Sequence, residues 1–503
     1  MEQLKHNKMH YIQGDDRSQM LFTSLDSMIS PNNPVRLIDL LVDKIVLNDP
    51  ENFLWKGKKN KGRRAFSPAT MLKLFLYGYL NKIQSSRRLE QETYRNIELK
   101  WLICNLHPDF WTINEYRKNN EKQIRLVTIE FRKFLISENY IKAKEVAVDG
   151  TKLKAYASRD MLTIADINKR LKSVNEKLSQ YLEQLKIEDA IEEVKGELKE
   201  ELKEENDQNI NKKIIARNVY LEAQVAKLEE EKRKLEEKGK NYLAPNDPDA
   251  NLVKSRQGKI AGYNAQFAVD AENKMIALSE ITDSENDIYE LKPDLEKLKE
   301  QVQIEPDKVY ADKGYVNHKD IKEIEEQTKT ECYVPVLNNN KKDKKSGLKF
   351  TYDKENNEYI CPQGKKLKLR QRNKKRRRKR ASYSYRVNVY QCTDCKNCPI
   401  KQKCTSSKKG RIINRHIDQE WIDNYQKRML KPESKENMKK RKAIVEHPFG
   451  VIKWMMGLHH FLLRGKEKVQ IELDLYATVY NIKRLINIEK MEILLKKIEN
   501  YSW

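Results

Sequence analysis

The chain has 503 residues, enough for several domains with cores of their own. Lys and Arg number 100 against 75 Asp and Glu, a formal net charge of +25, which favours a polyanionic partner, nucleic acid first and an acidic membrane surface second. Because no stretch reaches the roughly 20 apolar residues of a membrane span and the first residues lack the apolar segment of a secretory signal, we expect a cytoplasmic protein at the nucleoid, with no membrane partner.

Residues 1–140 read as a helical domain. Ser67 and Pro68 are the predicted N-cap and first residue of a helix over the segment PATMLKLFLYGYL. A second helix follows a short turn and carries Arg87 and Arg88 in its first turn. Short helices, a tight turn and exposed arginines suit a helix-turn-helix-like DNA-binding module, although a plain helical bundle with a solvated basic face fits the composition nearly as well.

From residue 141 the pattern changes to strands. Apolar segments typical of strands are EVAVDGT, GYNAQFAVD, KMIALSEIT, KVYADKGY and ECYVPV, with helices predicted near 286–301 and 317–327. The order β, β, β, α, β, α, β describes a mixed α/β sheet rather than an all-parallel one.

A charged segment, residues 160–242, interrupts the strands. Apolar residues recur three and four apart from Ile164 to Leu185, and every seven residues from Ile214 to Leu235. A polar stretch separates the two runs. We therefore predict an inserted antiparallel helical hairpin; an intermolecular coiled coil is the alternative, and the short arms favour the hairpin.

Residues 341–425 form a basic, cysteine-bearing insertion. Within it, residues 365–380 (KKLKLRQRNKKRRRKR) hold twelve Lys or Arg and no acid. Like charges at this density repel one another, so we expect this run to be disordered until a polyanion neutralises it, and contact with DNA is favoured over a solvated loop. The arginines singled out as DNA contacts are Arg376, Arg377 and Arg378.

Five of the seven cysteines lie in the same insertion. Overlapping CxxC pairs in CTDCKNCPIKQKC, with CPQG upstream, are more typical of metal ligation than of redox chemistry in a cytosolic chain. A tetrahedral zinc site takes four sulfur ligands, so one thiol would be spare; unpaired thiols are the alternative. The candidate zinc ligands are Cys361, Cys392, Cys395, Cys398 and Cys404.

Two predicted strands end in an aspartate close to a glycine. Asp149 precedes Gly150, and Asp312 comes two residues before Gly314. Singly, each aspartate would be a turn or helix cap. If the two strands are neighbours, however, the carboxylates lie side by side and repel strongly in a partly dry cleft. Divalent cations would remove that penalty, and oxygen-rich sites select Mg²⁺ or Mn²⁺.

A third acid is expected from the segment RKAIVEHPFGVIKWMMG. Glu446 and Lys453 are seven residues apart, nearly two helical turns, so both would project from one face of a continuous helix. Pro448 is comfortable only in a first helical turn, so the helix is either kinked there or begins near Glu446. Taken alone, Glu446 would be a solvated helix acid.

An ordered set of segments carries a family resemblance. VAVDGT, GYNAQFAVD, YADKGY, VEHPFGVIK and ELDLYATVYNIKRL closely resemble bacterial insertion-sequence transposases of the DDE type. SPATMLKLFLYGYL, SSRRLE and HPDFWTINEYRK resemble the helical domain that precedes the catalytic domain in that group. The resemblance implies an α/β fold with a ribonuclease H-like mixed sheet over 141–340 and 430–490.

The resemblance also implies a function. By this resemblance we expect a DNA transposase that cleaves DNA and transfers strands at terminal inverted repeats. The resemblance implies that Asp149, Asp312 and Glu446 form a triad that holds two Mg²⁺ or Mn²⁺ ions. Lys453 matches a lysine expected to contact phosphate near the cleaved end. Double-stranded DNA is the implied partner, and synapsis of two ends implies at least a homodimer on DNA.

The chain departs from the family pattern upstream of Glu446. Related transposases often carry Tyr and Arg seven and four residues before that Glu, where this chain has Lys439 and Lys442, with Arg441 adjacent. Lysine keeps the charge for phosphate binding but lacks the bidentate fork of arginine. Arg464 is a further candidate phosphate contact. Two other functions fit the same residues: a structure-selective nuclease with the same triad, and a non-catalytic DNA-binding protein derived from a transposase.

Overall fold

The structure is a computed structural model that divides the chain into two compact units. Unit 1 comprises residues 1–134 and 482–503, and unit 2 comprises residues 135–481. The described residues are 18, 20, 22–53, 64–157, 161–196, 204–237, 239, 241–255, 258–335, 348–377 and 384–503. None of the helices in these ranges is long and apolar enough to cross a membrane.

The regular elements of unit 1, within the described ranges, are helices. Their bounds are α1 (Pro34–Asn48), α2 (Pro68–Leu80), α3 (Ser86–Arg95), α4 (Ile97–Leu102), α5 (Phe110–Asn119), most of α6 (Glu121–Ser137) and α15 (Met491–Asn500). The predicted start of α2 is confirmed, because the Ser67 side chain accepts the N–H of Thr70 and Pro68 occupies the first turn. Most of α2 is buried, so it forms the centre of this unit.

Unit 2 is built on a mixed six-stranded sheet. Its strands are β1 (Glu145–Lys154), β2 (Asn251–Ser255), β3 (Gly258–Asp270), β4 (Ile276–Thr282), β5 (Lys308–Tyr310) and β6 (Glu331–Tyr333). Their order is β2-β3-β1-β5-β6, and β4 also pairs with β3. The central strand β1 is antiparallel to β3 and parallel to β5, as a mixed α/β sheet requires.

β1 is longer than the sequence predicts. The strand does not end at Asp149 but continues to Lys154. Each residue of β1 from Val146 to Lys154 is paired with a residue of β3, and the last of these pairs is Lys154 with Gly262. Asp149 therefore lies inside a strand that is hydrogen-bonded to its neighbour on both sides of this position, rather than in a turn.

Helices pack around this sheet, and one of them hydrogen-bonds to the backbone of β4. They are α9 (Leu291–Val302), α10 (His318–Gln327), α12 (Gln419–Met429), α13 (Pro432–Gly450) and α14 (Lys466–Ile488). Amide side chains of α14 bond to the backbone of β4: Asn481 Oδ1 accepts the N–H of Ile276 at 2.8 Å, and Gln470 Oε1 accepts that of Ile281 at 2.7 Å. These two backbone N–H groups of β4 are thereby paired although both residues are buried.

The interruption between β1 and β2 contains two long helices, α7 (Ile164–Gly196) and α8 (Glu204–Glu237). They contact each other, and Ile167 of α7 and Leu235 of α8 share a buried apolar cluster with Leu162 and Leu243. A backbone bridge joins Leu162 to Leu243, so the two ends of the interruption meet.

A second, five-stranded antiparallel sheet follows β6. Its strands are β7 (Thr351–Asp353), β8 (Glu358–Ile360), β9 (Lys366–Arg377), β10 (Ser384–Gln391) and β11 (Ile412–His416), in the order β11-β10-β9-β8-β7. A short helix, α11 (Lys401–Cys404), lies between β10 and β11.

The prediction of disorder over 365–380 is wrong for its larger part. Residues 366–377 form β9, which pairs with β8 at Lys366 and Leu367 and with β10 between Lys368 and Arg377. Leu367 packs into a buried cluster with Tyr390, while most of the Lys and Arg side chains described on β9 are exposed, so solvent screens their repulsion. Arg378 lies outside the described residues.

Candidate active site

The two aspartates singled out from the sequence lie on neighbouring strands. The parallel register pairs Val146 with Val309 and Ala147 with Tyr310, and two more residues along each chain bring Asp149 next to Asp312. The side chain of Asp149 is 21% exposed, and Asp312 is half-buried. The prediction that the two strands are neighbours in the sheet is confirmed.

Backbone amides hold one oxygen of each carboxylate. The N–H of Gly150 donates to Asp149 Oδ1 at 2.9 Å, and the N–H of Gly314 donates to Asp312 Oδ1 at 2.5 Å. Burial raises the pKa of Asp149 to about 6; the nearby Arg441 opposes this shift, and the Asp312 carboxylate adds to it. Burial and the neighbouring carboxylate therefore disfavour the ionised form of Asp149, a penalty that a divalent cation would reduce.

Helix α13 and the turn after it bring two cationic side chains onto β1. Arg441 Nη1 donates to Asp149 Oδ2 at 2.8 Å. Lys453 Nζ donates to the hydroxyl of Thr151, two residues further along the strand, and lies 5.8 Å from the ring centre of Phe449. Two basic side chains, Arg441 and Lys453, therefore contact β1 at and beside Asp149.

The helix that carries Glu446 begins well before this residue, so the alternative that places its start near Glu446 is wrong. It starts at Pro432 and continues through Pro448 to Gly450, where a π-helical turn, Val451–Met455, begins. Proline lacks an N–H and cannot donate to the carbonyl four residues earlier, and the winding changes soon after it. Lys453 lies in this wider turn.

Glu446 does not form a cluster of metal ligands with Asp149 and Asp312 in the described part of the structure. Its side chain is 62% exposed, and Oε1 lies 3.6 Å from Lys442 Nζ. Among the residues that the structure describes, no three His, Cys, Asp or Glu side chains lie close enough together to hold a metal ion. The Asp149–Asp312 pair fits a hard divalent cation by its oxygen ligands and its mutual repulsion; the third carboxylate lies at the surface.

Two family models match the chain. The one described as Transposase DDE domain covers residues 360–486, which include Glu446 and Lys453. The one described as Transposase domain (DUF772) covers residues 23–119, from which α1 to α5 fold. Together the two matches support an insertion-sequence DDE transposase. A search of curated proteins gave no match.

A set of polar residues behind the aspartates was missed by the sequence analysis. This polar layer comprises Lys152, Asn264, Gln266, Asp287 and Tyr315. A signal for part of it exists: Asn264 and Gln266 are two apart in an otherwise apolar strand segment, so both point to the same side of β3. Both are completely buried, and buried amides require partners.

The structure also describes the surroundings of the other basic residues that the sequence singled out. Arg87 and Arg88 are exposed on α3, and Arg87 stacks over Phe110 at 5.2 Å. Arg464 donates to the backbone carbonyl of Tyr156 at 3.1 Å. Arg376 lies on β9, where its Nη2 is 3.5 Å from Asn414 Oδ1, and Arg377 is the last residue of that strand.

The cysteines of the second sheet lie near one another without forming a metal cluster. Cys392 belongs to a buried apolar cluster, against which Cys361 and Cys395 pack. The N–H of Lys365 donates to Cys361 Sγ at 3.3 Å. Burial raises the pKa of Cys392 to about 11, and neighbouring thiols add to the shift. Cys398 and Cys404 are half-buried. Zinc binding here stays a prediction.

Proposed function

We propose that the chain is a DNA transposase that cleaves DNA at the terminal inverted repeats of its insertion sequence and transfers the strands, with Asp149, Asp312 and Glu446 as catalytic acids. The observation that carries the proposal is the Asp149–Asp312 pair on adjacent strands, in a chain that matches two transposase families. A mixed sheet with the first acid on its central strand supports a ribonuclease H-like catalytic domain.

The acids would hold two Mg²⁺ or Mn²⁺ ions. When bound, such ions activate water, and later the 3′-hydroxyl, and stabilise the leaving oxygen. Asp149 and Asp312 supply hard oxygen ligands from adjacent strands. Glu446 would supply the third after its side chain leaves Lys442, a change of rotamer that exposed side chains make in nanoseconds or less. Arg441 and Lys453 would orient the DNA phosphate.

Substitution of each acid tests this proposal. Asp149→Asn, Asp312→Asn and Glu446→Gln keep the size of each side chain, and each should abolish Mg²⁺-dependent nicking of inverted-repeat DNA while DNA binding is retained. Glu436→Gln, at an exposed position of the same helix, is the matched control and should nick at the wild-type rate. Retained cleavage in any of the three variants would remove that residue from the triad.

Helix α3 supports DNA recognition by unit 1. Its exposed residues recur at the spacing of one helical face and include no acid; they are Arg87, Arg88, Gln91, Tyr94 and Arg95. A short turn links α3 to the buried α2, the arrangement of a helix-turn-helix. We propose that this face binds the major groove of the inverted repeats.

Binding measured without metal tests this face separately from catalysis. Arg88→Ala should weaken binding of inverted-repeat and unrelated DNA alike, because it removes a charge, whereas Gln91→Ala should weaken only the former, by about 1–3 kcal/mol. Lys133→Ala, on α6 of the same unit, is the control. A Gln91→Ala variant with unchanged preference for the repeats would contradict the assignment.

Strand transfer separates the proposed transposase from a nuclease with the same triad. Pre-cleaved inverted-repeat ends, mixed with plasmid DNA and Mg²⁺, should become joined to the plasmid. A protein that nicks but never joins would be the structure-selective nuclease, and one that does neither would be the non-catalytic DNA-binding protein. We also propose that two copies of the chain act together on paired DNA ends, at the nucleoid. The mass of the complex with inverted-repeat DNA tests the dimer, because it should contain two protein chains.

A further inference from the structure

Asp312 is held differently from Asp149. Asp149 lies inside β1, paired with Phe267 of β3. Asp312 lies two residues beyond the end of β5 and begins a tight turn, Lys313–Tyr315. Sheet pairing alone therefore does not fix the Asp312 carboxylate, and the position of the turn decides how close the two acids lie.

The side chain of Tyr315 ties this turn to the sheet. Its ring is completely buried, and its hydroxyl donates a hydrogen bond to Gln266 Oε1 on β3. Its backbone N–H donates to the carbonyl of Asp312 at 3.2 Å. One residue thus connects the backbone of Asp312 to the strand that pairs with Asp149.

Asp287 determines which way the amide of Gln266 faces. Asp287 Oδ1 accepts from Gln266 Nε2 at 2.8 Å, and also from Asn264 Nδ2 at 2.8 Å and Lys152 Nζ at 3.0 Å. A carboxylate oxygen accepts hydrogen bonds and does not donate them, so Gln266 presents its nitrogen to Asp287. Its oxygen is left for the hydroxyl of Tyr315.

The polar layer also reaches the residue next to Asp149. A Cβ at Gly150 would lie 2.5 Å from Gln266 Nε2 and 2.6 Å from Asp287 Oδ1. Only glycine leaves room for these atoms, so the layer packs directly against β1 beside the first acid.

We propose that Asp287, Gln266 and Tyr315 are positioning residues for the cleavage reaction: they hold the turn of Asp312 so that its carboxylate stays next to Asp149. This inference rests on the proposed function for its catalytic part. The three residues act through Asp312 and bind neither the metal nor the DNA. Displacing one acid by about 1 Å is enough to slow an enzyme about a hundredfold.

Amide hydrogen exchange tests the positioning without metal or DNA. Tyr315→Phe removes only the hydroxyl, and exchange at Gly314, whose N–H is bound by the Asp312 carboxylate, should become about tenfold faster. Tyr310→Phe is the matched control, because its hydroxyl, on the same chain segment, donates to Glu145 at 2.8 Å; exchange at Gly314 should stay at the wild-type rate.

Nicking kinetics test the catalytic consequence. Tyr315→Phe and Asp287→Asn should lower the nicking rate about tenfold to a hundredfold and raise the half-saturating Mg²⁺ concentration, with DNA affinity unchanged, while Tyr310→Phe nicks like wild type. Asp287→Asn keeps the test decisive if Tyr315→Phe fails to fold. Wild-type exchange and nicking in the folded variants would overturn the inference. A wild-type protein that never nicks DNA would instead overturn the proposed function, since the exchange comparison does not depend on it.

Discussion

Arg441 reaches across 292 residues of chain to donate a hydrogen bond to Asp149, with Nη1 and Oδ2 2.8 Å apart. The arginine is on α13 and the aspartate on the central strand β1, and both side chains are about four-fifths buried. This ion pair holds the helix that carries Glu446 against the strand that carries the first acid.

Substitution of Arg441 should therefore slow cleavage. Arg441→Ala leaves Asp149 without its counter-charge and loosens α13, so we expect nicking to fall about tenfold or more, the usual cost of a charged hydrogen bond. Arg441→Lys keeps the positive charge, so its nicking rate should fall less than that of Arg441→Ala. Lys440→Ala is the control, because Lys440 lies at 3.8 Å from Glu145 and is half exposed. Equal rates for the Arg441→Ala and Lys440→Ala variants would contradict this role.

Glu472 should matter for stability rather than chemistry. It is buried, and its carboxylate accepts the N–H of Leu462 at 2.9 Å and also that of Leu463. The N–H of Leu462 also lies 3.0 Å from the second carboxylate oxygen, Oε2. Glu472→Gln should cost about 1–3 kcal/mol in the free energy of unfolding, because the amide nitrogen that replaces one of the two oxygens cannot accept a hydrogen bond. Urea denaturation measures the loss, with the exposed Glu467→Gln on the same helix as the control. A Glu472→Gln variant as stable as its control would show that these bonds contribute nothing.

Asp294 should make unit 2 less stable as the pH rises. Its carboxyl is buried on α9, and burial raises its pKa well above the ordinary value, an effect to which Glu290 adds. The unfolded chain loses this proton near pH 4 while the folded chain keeps it, so the contribution of Asp294 to stability is complete below about pH 4 and declines above it, by at most about 1.4 kcal/mol per pH unit.

Asp294→Asn removes that titration. The variant should gain stability relative to wild type between pH 4 and pH 7, by about 1 kcal/mol or more, measured by urea denaturation at both pH values. Glu300→Gln, at an exposed position of the same helix, should show no such gain. A wild-type and variant difference that is the same at both pH values would refute the buried, protonated state.

Zinc in the cysteine cluster can be tested by its metal content. We expect the purified chain to carry about one zinc ion per molecule, by analogy with four-sulfur structural sites. Cys361→Ser should lose it, while Cys104→Ser, at an exposed cysteine outside the cluster, should keep it. Metal-free wild-type protein would contradict the zinc site and leave the cysteines as unpaired thiols.

Local pattern in the sequence was enough for much of this protein. The Ser67–Pro68 start of α2, the strands around Asp149 and Asp312, and the mixed α/β character follow from signals within a few residues: caps, apolar alternation and glycine. These signals depend on backbone geometry that each short segment has by itself. The ordered motifs also indicated the transposase family before any tertiary contact was known.

Tertiary structure decided which residues meet. Arg441 rather than Lys442 contacts Asp149, since neighbouring helix positions point about 100° apart and only the packing of α13 on β1 fixes which one faces the strand. The basic segment forms strand β9 because β10 supplies backbone hydrogen-bond partners, which the charge pattern of the segment does not reveal. The link from Asp287 through Gln266 to Tyr315 joins residues far apart in sequence, and no local periodicity encodes such a hydrogen-bonded chain.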